Sequence, residues 1–447
     1  MCSSLWSLSL QSYLLVYYID CMPLSEKDYR WNFIVDSIDF ALFSLGMTFG
    51  SILTLFPLFA KKLGAGNLEI GLIPAIANLG WGIPAIIGAK YAEKYPKKLN
   101  LVLKVTLGER LPYFFMALIA FCIVPYDKRI ALYLSLLMLA IATFSMGFLG
   151  PPWMSMIGKV IDRKRRGSYF AMGNGIGALM GIGGSILARY FLSNFPFPIN
   201  FGYSFLSASI ALFMSFIFLA LTREDPDDDN NKDVSFYEYL KGIRIVLDNL
   251  NFKNYVINRI LVALSNASTG FILIYTVTKF SVPDRIAAEF TAVLLASQGI
   301  SSFIFGPIGD RYGHKIVLVW GRISYILALI LLIFSWKIYF IYIVFILIGF
   351  LNSAGMVGDS AFTLDISPDK RKELYLGVLN LLISPFSFLS PLIGGKIADW
   401  FGYEILFLYS LIFSLISLIF FVKYVKDPRR LIQGGDYGEK EKSFGSN

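Results

Sequence analysis

Long apolar segments recur along the whole of this 447-residue chain, and they limit the folds that it can adopt. The segments run for roughly 18 to 28 residues, and a bilayer core about 30 Å thick needs roughly 20 apolar residues per helix. Spans must be helical, because backbone groups in lipid have to be satisfied within each segment. The sequence therefore predicts an all-α membrane protein with twelve transmembrane helices, which begin near Asn32, Asn67, Leu99, Arg129, Gly167, Asn200, Asn251, Asp284, Lys315, Ile338, Glu373 and Tyr403.

The composition supports this interpretation. Hydrophobic residues make up 56% of the chain and charged residues only 16%, a balance that no soluble domain of this size has. We therefore expect a multi-pass protein of the cell membrane, surrounded by the lipid bilayer and active as a monomer.

The net charge of +9 follows the predicted topology of the membrane spans. Basic residues cluster in the polar gaps on one side of the predicted membrane, whereas the gaps on the opposite side hold only single or paired lysines and arginines. By the positive-inside rule the crowded side is cytoplasmic, and both termini lie there. The positive charge is thus a topology signal, and we expect no nucleic-acid partner. The basic clusters fall at residues 94–98, 163–166, 311–315, 370–372 and 423–430.

Few residues are available for metal or nucleophilic chemistry. The three cysteines, Cys2, Cys21 and Cys122, have no spacing typical of a metal site or a disulfide framework. His314 is the only histidine, which excludes histidine-cluster metal sites and Ser-His-Asp catalysis. No G-x-x-x-x-G-K-[ST] loop is present either. We expect no cofactor and no enzymatic activity.

A short cassette occurs twice in the chain, each time in a polar gap between two apolar segments. Gly306 to Lys315 reads G-P-I-G-D-R-Y-G-H-K, and Ala89 to Lys98 reads A-K-Y-A-E-K-Y-P-K-K. The spacing is about half the chain length, which implies duplication of a six-helix unit. Gly147-Phe148-Leu149 and Gly349-Phe350-Leu351 match at a further corresponding point, near the ends of the fourth and tenth spans.

With these motifs the chain resembles the major facilitator superfamily over about Asn32 to Val425. The second cassette is similar to the family's G-x-x-x-D-R-x-G-R-K loop, with His314 in place of the usual arginine. The first copy keeps the acid, the base and the final lysine, but has Ala89 and Pro96 where glycines are expected. The resemblance implies two pseudo-symmetric six-helix bundles around a central cavity that opens alternately to each side.

Domain boundaries follow from this division. A cytoplasmic lead covers residues 1–31, of which 1–21 have the composition of either an interfacial segment or a mis-assigned start. The bundles cover 32–221 and 251–425, and a cytoplasmic tail covers 426–447. Between the bundles, residues 222–250 form a polar linker followed by an amphipathic helix from Phe236 to Leu250.

By resemblance, the cassettes hold the cytoplasmic gate shut and release it when the halves rock. Asp310 is expected to accept hydrogen bonds from the start of a neighbouring helix, while the glycines permit close helix approach and a tight turn. The alternative is that the basic residues only fix the topology. The expected gating residues are Gly306, Asp310, Arg311, Gly313 and Lys315, with Glu93, Lys94 and Lys98 in the first half.

Five charged residues within the spans are candidates for solute or ion coupling. Asp36 and Asp39 lie on one face of the first span, where an acid costs roughly 2.5 kcal/mol or more and normally faces a cavity or a partner. Arg110 lies near the membrane midplane, with Glu109 pointing elsewhere. Arg259 and Asp359 lie in spans that line the cavity by resemblance. Interhelical pairing is the alternative for Arg110, Arg259 and Asp359, and a solvated charge at a helix start is the alternative for Asp36.

The sequence thus predicts a secondary transporter that moves a small-molecule solute by alternating access, coupled to protons or another ion. A lipid flippase, an uncoupled facilitator and a non-transporting receptor on the same scaffold remain alternatives. A membrane-embedded enzyme is disfavoured, because no span contains a paired nucleophile and base.

Overall fold

The structure, a computed structural model, describes residues 25–162, 165–226, 246–368 and 372–427. Over these residues the chain is all-helical, and twelve helices are long and apolar enough to cross a membrane. Helices α1 to α12 span Glu26–Phe49, Asn67–Lys94, Lys98–Leu118, Lys128–Val160, Arg166–Asn194, Ile199–Ala220, Leu250–Phe280, Arg285–Tyr312, His314–Ile333, Ile338–Ile366, Lys372–Phe401 and Tyr403–Tyr424.

The predicted starts of the spans agree with these bounds, except that α1 begins earlier, at Glu26. Its first turn is polar and is fixed by a capping box. The amide N–H of Asp28 donates to Ser25 Oγ, and the amide N–H of Ser25 donates to Asp28 Oδ2 at 3.1 Å. Hydropathy marks the part of a helix that lies in lipid, and it does not detect a polar turn that extends into water.

The first helix of each half, α1 and α7, is interrupted. Helix α1 ends at Phe49, and after residues 50–54 the chain continues as the short helix Leu55–Lys62. Helix α7 changes to a 3₁₀ turn over Asn266–Phe271 before it resumes at Ile272. Discontinuous helices at mid-membrane depth are where binding sites of duplicated transporters are found, since irregular backbone is tolerated there only around a cavity.

Matching glycines let helices approach closely in each half. A Cβ atom on Gly147 of α4 would collide with the carbonyl oxygen of Gly80 in α2, and one on Gly349 of α10 would lie 2.8 Å from the carbonyl oxygen of Leu294 in α8. The two sequence motifs aligned at these positions therefore perform the same packing role in both halves.

A polar clasp closes each half where its sixth helix ends. Asn32 Nδ2 donates to the carbonyl oxygen of Arg223, and the Arg223 amide donates back to Asn32 Oδ1, each at 2.8 Å. In the second half Asn251 exchanges the same two hydrogen bonds with Lys426, at 3.0 and 2.7 Å. The clasp joins the first helix of each half to the segment that follows its last helix.

The halves meet along α2 with α11 and along α5 with α8. Residues 1–24 of the predicted lead, which include the ambiguous segment 1–21, and residues 236–245 of the predicted amphipathic helix lie outside the described part of the chain, so those predictions are not tested.

Candidate functional site

A cavity of about 940 Å³ lies between the two halves. The interrupted stretches of α1 and α7 contribute Ser51, Asn266 and Thr269 to its wall. Carboxamide side chains give much of the remaining polarity, from Asn78, Asn174, Gln298 and Asn352. A space of this size and lining is suited to a small polar solute.

Three of these carboxamides are free to bind a solute. Asn78 Nδ2 donates across the halves to the Ser387 carbonyl oxygen at 3.0 Å. The side chains of Asn174, Asn266 and Asn352, in contrast, make no hydrogen bond with any residue in the described ranges. They come from α5, α7 and α10, so both halves present donors and acceptors to the same space.

Arg259 of α7 lines the cavity, as predicted, and is paired with Asp359 of α10. Arg259 Nη1 lies 2.7 Å from Asp359 Oδ1, with about a quarter of each side chain exposed. Arg259 Nε is buried and has no hydrogen-bond partner. Asp359 is not among the residues that line the cavity, although 29% of its side chain is exposed.

The acids of α1 do not face this cavity. Asp39 and Arg110 form a buried ion pair, with Arg110 Nη2 3.3 Å from Asp39 Oδ1. Ser215 of α6 donates a short hydrogen bond to the same carboxylate oxygen, and Arg110 Nε donates to the Leu212 carbonyl oxygen at 2.9 Å. Asp39 therefore faces α3 and α6, because the helical face that it occupies turns away from the central cavity.

Glu109 belongs to this cluster, contrary to the expectation that it points elsewhere. Its Oε2 lies 3.7 Å from Arg110 Nη1 and accepts a hydrogen bond from Thr106 at 3.2 Å. Adjacent helical positions diverge by about 100°, but a glutamate is long enough to fold back toward its neighbour. We call Asp39, Glu109 and Arg110 the buried triad.

The triad borders a second cavity, of about 190 Å³, inside the first half. Its lining runs from Arg110 toward Trp153 in α4 and Leu219 in α6. Phe40 and Phe43 of α1 line this side cavity and also the central cavity. One face of α1 thus lies between this side cavity and the central cavity.

Asp36 is buried and is not a solvated helix-start charge. Thr222 Oγ1 donates to Asp36 Oδ1 at 2.6 Å, while Oδ2 has no partner. Arg322 of α9 is also buried, and its Nη1 donates to the hydroxyls of Ser265 and Ser414 at 3.0 and 3.5 Å. No ion pair joins it to an acid in the described ranges.

The second cassette forms the turn between α8 and α9. Gly313 has φ of +93°, a conformation that glycine adopts without strain, which agrees with the predicted tight turn. Gly306 does not mediate the predicted close approach, because nothing lies within 4 Å of a Cβ placed there. Lys315 Nζ donates to the carbonyl oxygens of Val422 and Val425 at the end of α12, at 3.2 and 2.6 Å.

His314 and Asp365 tie the cassette to the end of α10, with His314 Nδ1 2.9 Å from Asp365 Oδ2. Arg311 stacks against Tyr312, with its guanidinium 5.4 Å from the ring centroid. Asp310 is exposed at the end of α8. A gating role for these residues stays a prediction.

The first cassette is organised around a residue that the sequence analysis missed. Glu224, which follows α6, accepts the backbone N–H groups of Lys98 and Leu99 at the start of α3, at 3.0 and 2.6 Å. Lys159 Nζ lies 3.0 Å from Glu224 Oε1. An acid at a helix N-terminus satisfies otherwise unpaired donors. In the sequence, Glu224 follows Arg223 directly after the sixth span, and an acid at that place could have indicated this role.

The other members of the first cassette are simpler. Lys98 is buried and its Nζ donates to the Tyr95 carbonyl oxygen at 2.7 Å, while Lys94 lies over the Tyr91 ring, 5.8 Å from its centroid. The side chain of Glu93 lies outside the described part of the structure. The predicted roles of these residues in gating stay untested.

Polar contacts join the halves on the side of the molecule opposite the cassettes, which we call the far side. Lys62 pairs with Asp284 at 2.9 Å, and Arg189 with Glu289 at 2.8 Å. We call the whole set the far gate, and it closes the central cavity on that side. Its other contacts are Thr54 with Thr291 at 2.6 Å, Asn67 with Asp399 at 2.8 Å and Asn67 with Tyr403 at 2.7 Å.

Comparisons with known proteins agree with this architecture. The model of the Major Facilitator Superfamily matches residues 38–283 and 255–444. An uncharacterised MFS-type transporter of Methanocaldococcus jannaschii is 23% identical over 410 residues, which cover 88% of this chain and 95% of that protein.

A class H tetracycline resistance protein of Pasteurella multocida is 26% identical over 184 residues, which cover 40% of this chain and 46% of that protein. The match thus spans about half of that relative. Among solved structures, a mutant of the nucleoside transporter NupG superposes with a TM-score of 0.69 at 14% identity, covering 89% of this chain and 100% of that one. At that identity the likeness concerns the fold alone.

Proposed function

Because the chain belongs to the major facilitator superfamily, we propose that it is a secondary transporter that moves a small polar solute through the central cavity by alternating access. The observation that carries this proposal is the cavity itself, which lies between two pseudo-symmetric halves and is bordered by two interrupted helices. The chain is a multi-pass integral protein of the cell membrane.

The far gate supplies the moving part of the proposed cycle. Its contacts are polar and join side chains from opposite halves, so that rocking of the halves replaces them with water at small net cost. Opening of the far gate would expose Asn266 and Asn352 to the far side, and the cassettes would then close the other end.

Proton coupling is proposed for the buried triad. Two carboxylates flank one guanidinium, and the exposed fractions are 5% for Asp39, 3% for Glu109 and 2% for Arg110. An uncompensated buried charge is costly, and a carboxyl group in that position is neutralised by a proton instead. The nearby titratable groups are Asp36 on α1, Tyr113 on α3 and Tyr169 on α5.

Protonation of the triad would reach the solute site through α1. Asp39 and Glu109 lie on one side of the Phe40 and Phe43 wall, and the central cavity lies on the other. A change in the ion pair between Arg110 and Asp39 of α1 would therefore shift Phe40 and Phe43, which border the solute space. This gives coupling a physical route that does not need contact between proton and solute.

A cysteine pair across the far gate tests alternating access without knowledge of the solute. Thr54→Cys and Thr291→Cys are introduced with Asn266→Cys as a reporter, after the native cysteines are replaced by serine. An impermeant thiol reagent applied to whole cells should label the reporter in the reduced protein. Oxidation of the pair should stop that labelling, and a reductant should restore it.

The single variants Thr54→Cys and Thr291→Cys serve as matched controls, since neither can form the intramolecular disulfide. Equal labelling in oxidised and reduced protein would contradict a far gate at this place. Absence of labelling even in the reduced protein would contradict alternating access.

The same reporter tests the role of the triad. Its labelling rate, divided by the rate with a free thiol in solution at the same pH, should depend on pH in the parent protein and lose that dependence in Glu109→Gln. The control is Asp359→Asn, which removes a carboxylate of the second half that pairs with Arg259 and not with the triad, and it should leave the pH dependence in place. An unchanged pH dependence in Glu109→Gln would remove the triad from the coupling mechanism.

A further inference from the structure

The charge that the central cavity presents to a solute is positive. Among the described residues that line it, Arg259 is the only one with an ionisable side chain. The acids of the first half are held elsewhere, with Asp39 and Glu109 in the side cavity behind the phenylalanine wall. These two carboxylates therefore do not offset the field of Arg259 where the solute would lie, and the counter-charge of Arg259 is its partner Asp359, which does not line the cavity.

The second half also holds a surplus of buried positive charge. Arg259 is balanced by Asp359, but Arg322 contacts only hydroxyl groups of Ser265 and Ser414 among its hydrogen-bond partners. Arg322 interacts electrostatically with Arg259 and with Asp359. Two guanidinium groups thus share one carboxylate. The first half shows the reverse balance, with two carboxylates around Arg110.

The guanidinium of Arg259 has unused hydrogen-bonding capacity. Nη1 is occupied by Asp359, and the buried Nε has no hydrogen-bond partner among the described residues. A solute in the cavity would therefore meet the terminal amino groups of Arg259, of which Nη2 is not buried and makes no hydrogen bond with a described residue. A carboxylate or sulfonate oxygen is the acceptor that suits a guanidinium best.

Neutral donors lie in the same cavity as the cation. The unpartnered carboxamides of Asn174, Asn266 and Asn352 also line it. An anionic group held by Arg259 would leave the remainder of the solute within reach of these amides. The arrangement fits a solute with one acidic group and additional hydroxyl or carbonyl groups.

We propose that the central cavity is an anion-binding site with Arg259 as its charged ligand, and that the transported solute is a small organic anion. This inference rests on the proposed function, since the occupant of the cavity is taken to be the solute. The surplus of positive charge in the second half favours a negatively charged solute, and the asparagines contact the uncharged part of that solute.

The experiment compares two thiol reagents of similar size and opposite charge on a cysteine inside the cavity. Asn266→Cys is prepared in a background without native cysteines, solubilised in detergent so that the open side is accessible. Methanethiosulfonate reagents that carry an ethylsulfonate or an ethyltrimethylammonium group are used, and each rate is divided by the rate with a free thiol in solution.

The sulfonate should react at least about tenfold faster than the ammonium reagent after this correction, because a nearby unit charge in a partly buried site contributes more than 1 kcal/mol. Arg259→Gln should reduce the ratio to near one. Arg129→Gln removes an exposed arginine that is paired with Glu69 at 3.2 Å on the far side, and it should leave the ratio unchanged.

A ratio near one in the parent, or the same ratio in Arg259→Gln as in the parent, would overturn the proposal. Asn352→Cys provides a second reporter in case the first variant does not fold. The ratio of two rates does not depend on how often the far gate opens. Failure here and failure of alternating access are therefore separate results.

Discussion

The guanidinium of Arg110 contacts more protein groups than that of Arg259 or Arg322 does. Its guanidinium contacts Asp39, Glu109, Ser215 and the Leu212 carbonyl oxygen. Removal of one member of a buried ion pair leaves the other charge uncompensated, which costs about 3–5 kcal/mol. The effect of a substitution at this residue should therefore depend on which carboxylates remain.

We predict that Arg110→Met lowers the free energy of unfolding by about 3–5 kcal/mol. Denaturation in mixed detergent, followed by circular dichroism, measures the change. The triple variant Asp39→Asn, Glu109→Gln, Arg110→Met is the control, and it should recover most of the loss because no buried charge remains. Equal losses in the single and triple variants would show that packing of the long side chain outweighs its charge.

The sequence indicates which residues carry buried charge, but not which space they face. Asp39 and Arg110 were both identified as candidates, yet their partnership depends on the rotation of α1 and α3 about their axes. The prediction that Glu109 points away from Arg110 was wrong, because helical spacing does not show how far a long side chain extends. Arg259 was placed correctly, since the depth and number of its helix are enough to bring it to the cavity.

At the scale of elements, glycines, which have no side chain, let helices approach closely and so determine how each half packs. In α4, Gly147 lies against the backbone of α2, whereas Gly158 has open space around the position of a Cβ. The two glycines lie on the same helix and differ in what surrounds them. They form a matched pair for measuring what close approach contributes.

We predict that Gly147→Ala is destabilising by about 1–3 kcal/mol, because the added methyl group forces α2 and α4 apart. Gly158→Ala should be neutral or stabilising by up to about 1 kcal/mol, because alanine has the higher helix propensity. Thermal unfolding of the purified variants compares them directly. A loss at position 158 as large as that at 147 would contradict the packing explanation.

Glu224 fixes the start of α3 and should be equally sensitive. We predict that Glu224→Ala costs about 2–4 kcal/mol, since it leaves two helix N–H groups without their acceptor and Lys159 without its acid. Arg223→Ala removes a neighbouring charge and keeps its backbone hydrogen bonds with Asn32, so it should cost much less. Hydrogen exchange at the amides of Lys98 and Leu99 gives a local measurement, and equal protection in Glu224→Ala and the parent would contradict the cap.

At the scale of the whole molecule, the proposed transport cycle depends on the far gate, which would determine the side to which the cavity opens. Glu289 is bound by Arg189 at 2.8 Å and by Tyr342 at 2.6 Å, so it ties α5 of one half to α8 and α10 of the other. We predict that Glu289→Gln raises labelling of Asn266→Cys from the far side by up to about fivefold, the equivalent of one partly exposed ion pair.

Glu404→Gln is the control for this measurement, because Glu404 lies on the same side at the start of α12 and is exposed. Its labelling rate should equal that of the parent. A Glu289→Gln rate that does not exceed the control would show that the gate is held by helix packing, for example where Gly395 meets the Asn67 backbone, and not by charge.

The overall fold was predictable from the sequence because hydropathy acts on every span independently. Duplication was visible in the cassette and in the Gly-Phe-Leu motifs, and both the all-helical fold and twelve candidate spans are confirmed. The far gate was not predicted. Its members lie up to hundreds of positions apart, as Asn67 and Asp399 do, and they meet only when the halves are assembled.

The two polar clasps have a consequence for the genetics of the molecule. Each joins the beginning of a half to its end through reciprocal hydrogen bonds, with Asn32 on Arg223 and Asn251 on Lys426. Neither half depends on the peptide connection to the other for its own closure. A gene divided between codons 226 and 246 would thus encode two polypeptides that each close independently and assemble into a complete protein.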